Sequence, residues 1–154
     1  MSGIRDDLVD LFDHAEARLR ERMRSTGDHE WRWAPTPDDR LSLRWRLAHL
    51  AHVLGQPRNR LWLGLTPVPV APAADPDRAR NAADAVHRIG VAHADFRSAL
   101  LELDDAALAE PVGPIAGPYG ESTRRAFVLH VVDEFVHHVA EACLLRDVYA
   151  HRPR

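Results

Sequence analysis

Apolar residues recur every three or four positions in four windows of the chain, the spacing of helices that bury one face. The first, behind Ser2 as N-cap, reaches about Arg24 and sets Ile4, Leu8, Leu11, Phe12, Ala15 and Leu19 on one side. The second, about Leu41 to Leu63, carries Leu43, Leu47, Leu50, Val53 and Leu54, and Pro57 is expected to kink or break its later part. A third is predicted from Pro76 at the first helical position, behind Asp75 as N-cap, to Leu103. Its apolar positions are Ala79, Ala82, Val86, Ile89, Phe96, Leu100 and Leu103, and Gly90 weakens it only locally. The fourth, started by Glu121 and Ser122, is expected from about Thr123 to Ala150.

The segments between the windows are rich in helix breakers. STGDHEWRWAPTPDDR reads as an ordered loop whose Trp31 and Trp33 cover the end of the core. TPVPVAPAADP and EPVGPIAGPYGES read as connections. No stretch alternates with the period of a strand, and no segment repeats. Four amphipathic helices of this length predict an all-α fold, a four-helix bundle, formed by a single domain over residues 1–154.

Composition narrows the function. At 154 residues the chain suits one ordinary domain with a real core. A formal charge of -3 gives no basic field for gripping phosphates, so nucleic acid is not an expected partner. Cys143 is the only cysteine, which excludes an internal disulfide. The acidic start MSGIRDDLVDLFDH lacks signal-peptide order, and no apolar run approaches the ~20 residues of a membrane span. The expectation is a cytoplasmic protein with no membrane partner. All 20 basic residues are arginine, a bias of GC-rich codons.

The last window holds the chemistry. In HVVDEFVHHVAEACLLRD, residues His130, Glu134 and His138 stand one turn apart in a column flanked by Val131, Val132, Phe135, Val136, Val139 and Leu144. An unpaired charge facing a bundle core costs several kcal/mol, by order of magnitude, and a divalent metal would compensate it. Carboxylate and neutral imidazole are ordinary ligands of first-row metals. Glu134 and His138 at i, i+4 supply two, and a third is needed. WRLAHLAHVLG offers His49 and His52. The bland alternative is a set of hydrogen-bonded or half-exposed histidines. His14, His29, His87, His93 and His151 have no partner pattern and read as solvated or structural, and Cys143 as a buried small residue. Trp31, Trp33, Trp45 and Trp62 read as core or lid, Trp45 lying one turn before His49.

These residues carry a resemblance. WRLAHLAHVLG and LHVVDEFVHHVAEACLLRDVY, with WRWAP before the first and GPYGES before the second, resemble the DinB-like superfamily of metal-binding four-helix bundles across nearly the whole chain. The resemblance implies a metal held by His49, Glu134 and His138, zinc by default with nickel as the alternative. Glutamate at position 134, where many relatives have histidine, resembles the branch of the mycothiol-dependent maleylpyruvate isomerase. The additional C-terminal domain of that enzyme is not expected here, because the sequence stops shortly after the last window, so the fold and metal site transfer better than the substrate.

The function implied is a metal-dependent transferase or isomerase, with mycothiol or a similar low-molecular-weight thiol as cofactor and a small electrophile as substrate. His52, His130 and His137 are candidates to orient a ligand or move a proton. Arg44, Arg46 and Arg58 are candidates to hold a carboxylate, with solvation as their ordinary role. Metal-assisted hydrolysis and a non-enzymatic, stress-associated binding or dimerisation module are the rival expectations. Dimers are common in that family, so a homodimer is among the expected partners.

Overall fold

The computed structural model of the protein describes residues 3–67 and 79–153. Its α-helices are α1 (Ile4–Met23), α2 (Asp28–Trp31), α3 (Leu43–Leu54), α4 (Arg58–Trp62), α5 (Ala82–Leu101), α6 (Asp105–Ala109) and α7 (Arg124–Ala150). Short 3-10 turns lie at Asp39–Leu41 and Pro114–Tyr119. Among the described residues there is no strand, only an isolated bridge between Pro111 and Thr123. α1 and α3 each pack against both α5 and α7, so the long helices run in the ring α1, α7, α3, α5. The fold is an all-α four-helix bundle.

The core is what the apolar periodicity demands. Phe12, Leu19, Leu47, Leu50, Ile89, Val128 and Phe135 are each fully or almost fully removed from solvent. Fully burying a side chain of that size stabilises by about 1.5–3 kcal/mol. The stripe on α1 is narrower than the pattern suggests: Leu8, Phe12, Ala15, Leu19 and Met23 are buried, whereas Ile4 and Leu11 are exposed. On α7, Leu144 is likewise exposed. These residues sit at the edges of stripes wider than their neighbours can cover.

The helix ends show where local chemistry decides boundaries. Ser42, Asn81 and Thr123 accept from the backbone N–H groups of Trp45, Asp84 and Ala126, the usual N-cap bond. α7 therefore starts behind Thr123, and Glu121 and Ser122 precede it. α5 begins at Ala82, later than the pattern predicts, because residues 79–81 are not helical and Asn81 makes the cap. The expected caps Ser2 and Asp75, and Pro76, lie outside the described residues. Gly3 occupies the α1 N-cap without a side chain to serve it. Asp105 of α6 substitutes, accepting from the N–H groups of Ile4 and Arg5 at 3.1 and 2.9 Å.

Pro57 divides the second window into α3 and α4. The break is sealed by buried Asn59, whose amide donates to the Val53 and Leu54 carbonyls at 3.0 and 2.9 Å. Gly64 follows with φ +74°, a backbone conformation that is strained for other residues and favours glycine at this turn.

The tryptophan loop is ordered, and it contains the short helix α2. Trp31 is buried and Trp33 packs edge-on against Tyr149. Both carboxylate oxygens of buried Glu30 accept from one edge of the Arg146 guanidinium, at 2.6 and 3.1 Å, and Arg146 also donates to the Arg22 carbonyl. The linker before α7 folds back on itself through Val112 N–H to Ser122 carbonyl and Gly113 N–H to Gly120 carbonyl, at 2.8 and 2.9 Å. That fixes where α7 enters the bundle.

Candidate metal centre

α3 and α7 lie side by side in opposite directions, so Arg46 faces Glu141 and His138, while His49 faces Glu134 and His138. The two helices belong together because Leu47, Leu50 and Leu54 on one, and Phe127, Val131, Phe135 and Val139 on the other, share the core. The polar column sits at the margin of that contact. Glu134 and His49 are half-buried and His138 is buried.

Three side-chain atoms converge there. Glu134 Oε2 lies 3.5 Å from His138 Nε2 and 3.8 Å from His49 Nε2, and the donor atoms of the three residues all lie within 4.8 Å of one another. Two imidazole nitrogens and one carboxylate oxygen are a set that zinc and its first-row neighbours accept. Donors around one tetrahedral cation at ~2.1 Å would stand roughly 3.4 Å apart, so the measured separations need only a small contraction. The residues present fit a divalent metal.

A hydrogen bond orients the central imidazole. His138 Nδ1 is 2.6 Å from Glu141 Oε2. A carboxylate only accepts, so Nδ1–H donates, and in the neutral imidazole that a metal requires the lone pair is left on Nε2, the atom that faces Glu134 and His49. Arg46 stands 3.5 Å from the same Nδ1, but it can only donate, and the shorter bond to Glu141 excludes it. Arg46 Nε instead lies 3.1 Å from Glu141 Oε2, close enough to hold the charge although not aligned as a hydrogen bond. This is the outer support that metal-binding histidines commonly have. Trp45 stacks on His49, with ring centroids 4.8 Å apart and planes 9° from parallel, and fixes the second imidazole.

The electrostatics keep both groups in the useful state. Burial, and then neighbouring His138, hold the His49 imidazole below its usual pKa against the pull of Glu134, so it is neutral near pH 7 with a lone pair to offer. Burial opposes ionisation of Glu141, but the His138 hydrogen bond and the Arg46 charge outweigh it and lower its carboxyl pKa.

The other candidates are scattered. His52 is exposed and bonds to Gln56 at 2.7 Å. His130 is exposed and lines a separate cavity with Trp62 and Phe127. His137 is exposed, with Nε2 3.3 Å from Glu141 Oε1. His137, His138 and Glu141 form a second group with cation-like spacing. Its 2.6 Å contact is a hydrogen-bond distance, however, shorter than two donors on one cation would take. Arg44 is exposed, and Arg58 lines the cavity of His130. The supports that spacing alone left unranked are Glu141 and Arg46. The signal for Glu141 was its place three residues after His138 on one helix face, whereas Arg46 is revealed only across the bundle.

A DinB superfamily model matches residues 11–142, most of the chain. The chain belongs to the DinB superfamily. A solved structure described as the conserved protein of locus from Enterococcus faecalis has the same fold at 17% sequence identity, with a TM-score of 0.71 over 99% of this chain and 100% of that one. No curated protein matches the sequence significantly. The remaining histidines of this DinB-superfamily chain are peripheral, apart from His93. That residue is buried between α1 and α5, stacked on Phe12 with centroids 4.1 Å apart and 3.3 Å from Asp13. No helix among the described residues is long and apolar enough to cross a membrane.

Proposed function

We propose that this DinB-superfamily protein binds a divalent metal, zinc by preference, through His49, Glu134 and His138, and is a thiol-dependent transferase or isomerase. The observation that carries the reading is the convergence of the two Nε2 atoms on Glu134 Oε2, with His138 oriented from behind by Glu141. Three protein donors leave coordination open to an outside molecule, the arrangement of catalytic rather than structural metals.

A divalent cation in that position favours thiolate over thiol, which supplies a nucleophile at neutral pH. The chain does the rest by positioning. Glu141 and Arg46 keep the His138 lone pair aimed inward, Trp45 holds the His49 ring, and the apolar residues of α3 and α7 keep bulk water from one side. Mycothiol or a similar small thiol as the cofactor rests on the glutamate at position 134 and the sequence resemblance it carries.

Metal analysis of the tag-free protein tests the first half, with about one equivalent of metal expected and chelation expected to lower the melting temperature. Thermal shift with mycothiol tests the second, with stabilisation expected only for the metal-loaded form. Unchanged stability after chelation would sink the metal reading. A metal-loaded protein indifferent to mycothiol would sink the thiol reading alone.

A further inference from the structure

A cavity of ≈ 410 Å³ opens beside α4 and the first half of α7, lined by Arg58, Trp62, Tyr119, Ser122, Phe127 and His130 among others. It belongs to none of the three ligand side chains. His130 is one helical turn before Glu134 on the same face, about 6 Å along the axis, so the cavity lies beside the proposed metal position.

Its chemistry is one-sided. The Trp62 ring stands 5.1 Å from Phe127 and 6.3 Å from Tyr119, giving an aromatic wall. Among the described residues no carboxylate lines it, and the polar side chains there can all donate: the Arg58 guanidinium, the His130 imidazole and the Tyr119 and Ser122 hydroxyls. Among the described residues Arg58 makes no ion pair, although Arg60 two positions on is paired with Glu102. Arg58 lies over Trp62 instead, 4.9 Å from the ring centroid. Contact with the ring face leaves guanidinium N–H groups for an acceptor, and such a fork suits a carboxylate.

From this lining we infer that the cavity binds a planar aromatic carboxylate, its ring on Trp62 and Phe127 and its anionic end on Arg58. That the cavity binds such a ligand does not depend on the metal-site reading.

Calorimetry with 2-naphthoate and its neutral counterpart 2-naphthamide tests the inference on zinc-treated full-length protein. Naphthoate should bind saturably, and the amide about tenfold more weakly, the worth of one charge-assisted contact. Arg58→Gln, at an exposed position, should weaken naphthoate by a similar factor while leaving the melting temperature unchanged. Ala126→Leu fills the cavity from an exposed helical position and should abolish binding. His138→Ala should keep naphthoate binding whether or not it keeps zinc, which separates the two readings. Equal affinity for acid and amide, indifference to Arg58→Gln and Ala126→Leu, or loss of naphthoate in His138→Ala would overturn it.

Discussion

Removing Glu141 should perturb the proposed metal site without touching any of the three proposed ligands. Its carboxylate accepts from His138 Nδ1–H at 2.6 Å and offsets the charge of Arg46. Losing such an outer partner commonly costs 10- to 100-fold in metal affinity, about 1.4–2.7 kcal/mol. Glu141→Gln keeps an acceptor but loses the charge, so about tenfold is expected. Glu141→Ala should cost more, and for a specific reason. With the carboxylate gone, Arg46 lies 3.5 Å from Nδ1 and can donate to it. That moves the proton to Nε2 and removes the lone pair that faces Glu134. Adding Arg46→Ala to Glu141→Ala should therefore recover part of the lost affinity, a coupling read as a double-mutant cycle. Zinc affinity measured by competition with a chromophoric chelator at pH 7.5 decides it, with imidazole nitrogen chemical shifts reporting the tautomer. Wild-type affinity in Glu141→Ala, or losses that simply add in the double variant, would refute the tautomer argument.

Four further outcomes follow from the same structure. His138→Ala should abolish zinc retention while His93→Ala retains it, by metal analysis after gel filtration. Burial lowers the pKa of His93 despite the opposing charges of Glu16 and Asp13, so the unfolded chain takes up its proton first as pH falls. Its contribution is therefore whole above the unfolded value near 6.5 and declines as pH drops toward the lower folded one; melting temperatures from pH 7.5 to 5.5 should fall less steeply in His93→Leu than in wild type. Arg146→Ala leaves Glu30 buried and unpaired, which should cost about 3 kcal/mol in urea unfolding. Asp105→Ala removes the acceptor at the start of α1 and should cost about 1 kcal/mol, a melting shift of roughly 2–4 °C.

The bundle was legible because its causes are local. Apolar spacing of three and four places Phe12, Leu19, Leu47, Leu50, Ile89, Val128 and Phe135 on buried stripes, and Pro57 ends α3 wherever it is placed in space. The helix ends were less so. α1 is capped by Asp105, about a hundred positions away, and no reading of neighbours along the chain could find that partner. The short helices α2 and α6 are too brief to leave a periodicity, and α2 is held by Arg146 from α7. The column His130, Glu134 and His138 was visible as a helical alignment, but position in the column did not separate its members. Glu134 and His138 turn toward α3, whereas His130 lines the neighbouring cavity.

By itself, then, the sequence determines that four helices form, which face of each is apolar, and that Glu134 and His138 share a side of the last one. These are consequences of covalent geometry and of residues a few positions apart. What only the packed structure decides is whose side chain completes the set and which nitrogen carries a proton. His49 and His52 are equally available three residues apart on one helix. The antiparallel contact of α3 with α7 brings His49 to Glu134 and leaves His52 with Gln56. Glu141 then fixes the His138 tautomer against Arg46, because a contact of 2.6 Å outcompetes one of 3.5 Å. Distances of that kind are set by how leucine, valine and phenylalanine interlock between helices, a property of the whole core rather than of any segment.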